Sequence, residues 1–224
     1  MSVLPPGGRK LSVHVKTAKK RSLASATWLK RQLNDPYVVA AKQQGWRSRA
    51  AFKLLELDDR FHFIGKGALV LDLGAAPGGW TQVAVNRGAG LVVGLDLLPV
   101  DPVPGAVLLL GDFSDEAMPA RLTGALGGKA DVVLSDMAPN TTGHNFTDHL
   151  RIMGLAELAA AFAREVLAEG GTFVAKVFQG GSEKGMLDLL KRDFASVRHA
   201  KPPASRKESS ELYVVAMGFR GHDR

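Results

Sequence analysis

No cysteine occurs among the 224 residues. That absence excludes disulfides, thiolate metal sites and a cysteine nucleophile, and it fits a cytosolic address. No long uncharged apolar run is present, so a membrane-spanning helix is not expected. The opening MSVLPPGGRK has no apolar core behind its charges and does not read as a secretory signal. Acidic residues are nearly missing from the first quarter: residues 1–53 hold 12 Lys/Arg and one acid, Asp35, a net charge of +11. Residues 54–224 hold 17 Lys/Arg and 21 Asp/Glu, a net −4, so the excess of +7 comes wholly from that first quarter. A block of this kind tracks a polyanion, and nucleic acid is favoured over a merely solvating tail. A membrane surface fits less well. The basic stretch lacks a wide apolar helical face, and Pro5, Pro6, Gly7 and Gly8 open it as coil.

What is present alternates. Residues 27–34 and 48–60 read as helices, the second with Ser48 as its N-cap. Beyond Gly65 and Gly67, apolar strands are expected at 68–74, 90–96, 106–112, 129–136, 171–178 and 211–219. Helices are expected at 79–87, 115–126, 149–168 and 182–193. Continuous apolar strands alternating with helices indicate an α/β fold whose mostly parallel sheet is covered on both faces. The chain divides into a basic arm, 1–25, and a single domain, 26–224. Within that domain a helical RNA-binding segment, 26–64, precedes a catalytic core, 65–220.

The strongest local signal is DLGAAPGGW, Asp72 to Trp80, between a strand and a helix. Ligands of doubly wound folds bind at that end of the strands. Gly74, Gly78 and Gly79 would let backbone approach a ligand, and the helix start offers free N–H groups to an anion. A tight structural connection would use the same glycines. Asp96 ends the next strand, where it can accept hydrogen bonds from ribose hydroxyls. Asp112 ends the third strand and could meet an adenine amino group. Each acid alone reads equally well as a solvated strand end; three at successive strand ends are harder to dismiss. The spacing G-x-x-x-G-G, with Pro77 inside it, disfavours a nicotinamide cofactor.

SDMAPN, Ser135 to Asn140, ends the fourth strand, where methyltransferases of this architecture hold their acceptor. It lacks the aromatic that stacks an extruded base in adenine methylases, and a carbon-5 pyrimidine methylase would need cysteine. A hydroxyl is the remaining common acceptor. Lys176 sits inside GTFVAKVF, a strand expected to be buried on both faces, and buried lysines need partners. It is expected beside Asp136, with Glu211 as a second carboxylate partner; Glu211 alone also reads as an exposed strand start. Lys53 by itself reads as a solvated helix residue. No metal is expected, since the six histidines show no ligand spacing. His144 and His149, flanking the loop after SDMAPN, read as ordinary loop and helix-start residues.

Together these residues resemble the FtsJ/RlmE family of ribosomal RNA 2′-O-methyltransferases over about residues 19–219. The resemblance is carried by RSRAAFKL (47–54), VLDLGAAPGGW (70–80), DLLPVDP (96–102), GDF (111–113), SDMAPN (135–140), FVAKVFQG (173–180) and SRKESSELYVV (205–215). It implies a Rossmann-like, seven-stranded, S-adenosylmethionine-dependent fold with an antiparallel last strand. It implies a catalytic tetrad of Lys53, Asp136, Lys176 and Glu211. Cofactor contacts are implied at Gly78, Trp80, Asp96, Asp112 and Asp136, beside the turn residues Gly74 and Gly79. The implied substrate is a uridine ribose of bacterial large-subunit (23S) rRNA, presented on the assembled subunit to a cytoplasmic monomer. Ribose methyltransferases of tRNA and of the mRNA cap share the tetrad and stay as alternatives, as does a noncatalytic RNA-binding assembly factor.

Overall fold

A computed structural model describes Thr17 and residues 23–138, 145–178 and 184–221. The basic arm falls almost entirely outside the described residues, as do Pro139, Asn140 and His144.

Three helices lead in: α1 (Leu23–Leu33), α2 (Pro36–Gln44) and α3 (Ala50–Phe61). The core then runs β1 (Leu69–Leu73), α4 (Gly79–Asn86), β2 (Leu91–Asp96), β3 (Ala106–Leu110), α5 (Met118–Leu126), β4 (Ala130–Ser135) and α6 (Asn145–Val166). It ends with β5 (Leu167–Phe178), α7 (Lys184–Asp193), β6 (Phe194–Ala200) and β7 (Glu211–Phe219). One seven-stranded sheet has the order β3-β2-β1-β4-β5-β7-β6. Only β7 runs against its neighbours, pairing antiparallel with both β5 and β6. The α/β class, the mostly parallel sheet and the antiparallel last strand are thus as expected.

Period-two alternation sorts the strand side chains between two cores. Leu71, Leu73, Phe173, Ala175 and Val177 pack with α5, α6 and α7. Val70, Val132, Leu134, Val174, Tyr213 and Val215 pack with Ala51, Leu54 and Leu57 of α3 and with Trp80 and Val83 of α4. By the same alternation Lys176 and Glu211 lie on the α3 face. The segment 26–64 is therefore not a detachable module, because α3 supplies part of the core. Its other side, through Phe52, meets Tyr37, Ala40 and Ala41 of α2 and Ala204 in the loop before β7.

Three local expectations are corrected. Helix α2 was not anticipated, although Asp35 caps it, accepting from Tyr37 N at 3.0 Å, with Pro36 in its first turn and Gly45 closing it in a left-handed conformation. Edge strand β6 was not anticipated either; its polar residues break the apolar pattern. Ser48 is not the cap of α3. Arg49 holds that position without a side-chain cap bond, and Ser48 Oγ is buried without a hydrogen-bond partner.

Candidate active site

The acceptor end is assembled from four elements. β5 carries Lys176, β7 opens with Glu211, α3 carries Lys53, and Asp136 follows the last residue of β4. Antiparallel register sets Tyr213 opposite Lys176 and Glu211 opposite Phe178. Lys176 Nζ donates to the Asp136 carbonyl at 2.7 Å and lies 3.1 Å from Asp136 Oδ1. Lys53 Nζ lies 2.8 Å from the Glu211 carboxylate and 3.2 Å from the Tyr213 hydroxyl. The Tyr213 hydroxyl donates to Asp136 Oδ1 at 2.8 Å, and Ser205 Oγ donates to Glu211 Oε1 at 2.8 Å. The result is one chain of alternating groups: Lys176, Asp136, Tyr213, Lys53, Glu211.

Two expectations change here. Lys53 is no solvated helix residue; it is 9% exposed, almost as buried as Lys176 at 8%. Nor is Lys176 set between two acids. Glu211 stands two residues beyond Tyr213 in the antiparallel register, on the side that Lys53 reaches, so two ion pairs form and Tyr213 joins them. Tyr213 is the residue that sequence reading missed. Its signal was available: in a strand, a residue two past Glu211 shares its face.

Burial alone would drive the Asp136 carboxyl upward, but the Lys176 and Lys53 charges and the Tyr213 hydroxyl outweigh it and hold it below the ordinary carboxylate range. Burial, with the Asp136 and Glu211 charges, pushes the Tyr213 hydroxyl well above its ordinary value, so it stays a neutral donor. The phenol ring packs on Trp80, centroids 5.6 Å apart, and Trp80 Nε1 donates to the Ala50 carbonyl at 2.8 Å. Trp80 thus belongs to the wall between the glycine turn and α3. Beside the site, His149 of α6 meets the ring of Phe178 at 6.3 Å.

The other half of the same sheet edge is the turn between β1 and α4. Its glycines are required by the protein's own chain. A Cβ at Gly74 would sit 2.8 Å from Met137 N, one at Gly78 2.7 Å from Arg47 Nη1, and one at Gly79 2.6 Å from Ser48 Oγ. Gly74 and Gly78 also have φ of +83° and +105°. Asp96 folds the turn from β2: Oδ2 accepts from Ala76 N and Oδ1 from Leu98 N, both at 2.8 Å. A carboxylate has about four acceptor sites, so capacity remains for ligand hydroxyls. Asp112 is exposed, with Oδ1 accepting from Ser114 N at 2.8 Å. Asp72 is fully buried rather than a solvated strand end. It accepts from Thr81 Oγ1 at 2.6 Å, and its Oδ1 has no side-chain partner. Burial, reinforced by the Asp136 and Asp96 charges, pushes its carboxyl up to about 7.

These residues fit a nucleoside cofactor bearing vicinal hydroxyls. Asp96 ends β2 and Asp112 follows β3, and α4 begins after its N-cap Gly78 with no side-chain cap to occupy its first amides. Among the described residues no group of three or more His, Asp or Glu could hold a metal ion, and no helix is long and apolar enough to cross a membrane.

Comparison with known proteins agrees with this architecture. Residues 46–219 match the model of the FtsJ-like methyltransferase family. The chain is 71% identical over 216 residues to the ribosomal RNA large subunit methyltransferase E of Granulibacter bethesdensis, covering 96% of this chain and 94% of that protein. It is 70% identical to the protein of the same name in Gluconobacter oxydans, covering 95% and 79%. A crystal structure of a Plasmodium falciparum protein assigned as a ribosomal RNA methyltransferase superposes with a TM-score of 0.71 at 30% identity, over 79% of this chain and 100% of that one.

Proposed function

The chain belongs to the FtsJ-like methyltransferase family, and from that premise we propose that it methylates the 2′-hydroxyl of a uridine ribose in bacterial large-subunit ribosomal RNA. The acceptor is presented on the assembled subunit, the methyl donor is S-adenosylmethionine, and the enzyme acts as a cytoplasmic monomer without a metal. The observation that carries the reading is the Lys176–Asp136–Tyr213–Lys53–Glu211 chain, set at the strand ends next to the glycine turn.

The donor supplies a methyl group on a positively charged sulfur. The Gly74–Trp80 turn, Asp96, Asp112 and Asp136 would hold it: Asp96 through ribose hydroxyls, Asp112 through the adenine amino group. What the protein then contributes is alignment of two bound reactants and stabilisation of charge on the attacking oxygen. Lys176 takes that second role. Asp136 stays ionised and holds the ammonium in one orientation through its carbonyl and carboxylate, leaving a donor for the ribose oxygen. A cationic Lys176 would stabilise the oxyanion that develops as the ribose oxygen attacks the methyl carbon: the O–CH3 bond forms while the S–CH3 bond breaks, S-adenosylhomocysteine is the leaving group, and the hydroxyl proton passes to solvent. Lys53, fixed by Glu211 and the Tyr213 hydroxyl, holds the acceptor nucleotide or its phosphate. The basic arm, residues 1–25, adds sequence-independent attraction to RNA.

The test is mass spectrometry of nucleosides from digested RNA, after undermethylated large subunits, tRNA and capped RNA are each incubated with the enzyme and labelled donor. The reading expects 2′-O-methyluridine in large-subunit RNA alone. Label in a base, or only in tRNA or capped RNA, would overturn it.

A further inference from the structure

The loop that follows β2, residues 97–104, holds three prolines, Pro99, Pro102 and Pro104. Proline has no N–H, so the loop is poor in donors and its carbonyls must find partners elsewhere. Arg47 supplies them. Its Nη1 donates to the Asp101 carbonyl at 2.5 Å and to the Pro77 carbonyl at 3.3 Å, and its Nη2 to the Pro102 carbonyl at 2.8 Å. One guanidinium thereby bridges the glycine turn and the loop. Gly78 is bare to admit it: a Cβ there would also lie 3.1 Å from Arg47 Cδ and 3.2 Å from Val100 Cγ1. The strap is anchored on its own side as well. Arg47 N donates to Gln82 Oε1 at 2.9 Å, and Gln82 Nε2 donates to the Gly45 carbonyl at 3.2 Å.

The near end of the loop is already fixed by Asp96, through Leu98 N. Leu97 and Leu98, immediately after Asp96, are 67% and 63% exposed, an apolar pair with no core to cover it. The loop is therefore tied at both ends around the strand terminus proposed to meet the donor's ribose. Arg47 belongs to the strongly basic quarter of the chain, and six residues later the same segment carries Lys53.

We infer that Arg47 is a positioning residue for the methyl donor: its guanidinium straps loop 97–104 to the glycine turn and so completes the cofactor site from the RNA-binding segment. The inference rests on the cofactor reading above. It makes Arg47 a brace more than a phosphate contact, because the guanidinium's donors are turned to backbone carbonyls. It also joins the two substrates mechanically. Because Arg47 and Lys53 share one segment, RNA held on that segment and a donor held by the strapped loop tighten each other by the same factor.

The experiment is calorimetric titration of the full chain with S-adenosylhomocysteine, with RNA affinity and its salt dependence measured in parallel. Arg47→Ala is expected to weaken S-adenosylhomocysteine by about ten- to thirtyfold, because the loop must then be ordered on binding. In turnover the donor KM rises while kcat at saturating donor stays within about threefold. Arg47→Lys keeps the charge but not the planar fork, so RNA affinity stays at the wild-type level while only part of the cofactor affinity is recovered. Gln82→Ala frees the same strap without removing a charge. It is expected to weaken S-adenosylhomocysteine by about threefold with the RNA salt slope unchanged, and it decides the question should Arg47→Ala fail to fold. Cofactor affinity within twofold of wild type in Arg47→Ala, with RNA binding lost, would overturn the inference, as would unchanged affinity in Gln82→Ala. Failure of the wild-type chain to bind S-adenosylhomocysteine would instead refute the cofactor reading beneath it.

Discussion

The glycine turn after β1 is closed by hydrogen bonds between close sequence neighbours, Thr81 to Asp72 and Ala76 to Asp96, 9 and 20 residues apart. The lysine–carboxylate chain on the other half of the same sheet edge joins residues 40, 77 and 158 apart. The first half is made of backbone amides and acids, the second of charges that alternate in sign. Such a turn offers amides to an anionic group and acids to hydroxyls and a positive centre. A cluster of two buried ammoniums, two carboxylates and a phenol exists only while three strands and a helix hold it together. Removing one member leaves the others buried and unpaired. The two halves should therefore fail differently: substitutions in the first should cost binding, substitutions in the second should cost turnover.

The largest effect is expected where the halves meet. Asp136→Ala removes the partner of Lys176 and the acceptor of Tyr213, and methyl transfer should fall by about a thousandfold or more. Stability should fall by roughly 3 kcal/mol, since breaking a buried ion pair leaves a charge uncompensated. Single-turnover methylation and denaturant unfolding measure the two losses. Next comes Asp96→Ala, in the cofactor half. Calorimetry should find S-adenosylmethionine binding weakened by about ten- to a hundredfold, with turnover at saturating donor far less affected. Unchanged affinity would remove Asp96 from the site. Tyr213→Phe, in the acceptor half, should lower kcat by about tenfold while the donor affinity holds, because only the bridge between the two ion pairs is lost. Loss of donor affinity without loss of kcat would erase the distinction between the halves.

The smallest effect concerns pH. The Asp72 carboxyl is pushed up to about 7, from an ordinary value of 3.8. Between those values the folded chain keeps a proton that the unfolded chain has lost, so this residue makes stability fall as pH rises through the window and level off above it. Asp136 works in the opposite sense. Its lowered pKa contributes stability that is present above the unfolded value and lost on acidification. Asp72→Asn should therefore be nearly as stable as wild type at pH 5, gain on it up to about pH 7 and hold that advantage to pH 8, by a few kcal/mol at most. Thermal unfolding at both pH values checks this. A difference that does not change with pH would mean that Asp72 is ionised in the folded chain throughout.

The same contrast explains what could be read from residue order. Strand β7 falls at 211–219 as expected, β1, β2 and β4 lie within a residue of their expected bounds, and the glycine turn with its acids is a contiguous local pattern. Lys176, Asp136 and Glu211 can be grouped from the strand pattern, but Lys53 joins them only through the family resemblance, because it looks like any charged residue on an amphipathic helix until α3 is laid against β7. Tyr213 was passed over for the same reason; its role is created by a register opposite Lys176 that no local pattern states. Glu211 was assigned to Lys176 when the antiparallel pairing hands it to Lys53. Helix α2 was missed despite its cap and stop signals, since PYVVAAKQQ has no sustained apolar face. Ser48 has the residue type of a cap, but its hydroxyl is buried where the chain before α3 passes Gly79, a placement that no local pattern states.

The division of labour along this edge rests most heavily on Lys176. It is one of the two buried ammoniums of the acceptor half, and its bonds among the described residues go to Asp136 rather than to the turn that shapes the donor site. The decisive measurement is single-turnover methylation of undermethylated large ribosomal subunits by Lys176→Ala, with S-adenosylmethionine affinity determined on the same preparation. The account predicts methyl transfer reduced by about a thousandfold or more, donor affinity within about threefold of wild type, and no rescue by Lys176→Arg, whose planar guanidinium cannot replace a compact ammonium at 2.7 Å from the Asp136 carbonyl. Activity of Lys176→Ala within about threefold of wild type, a barrier change under roughly 1 kcal/mol, would contradict it.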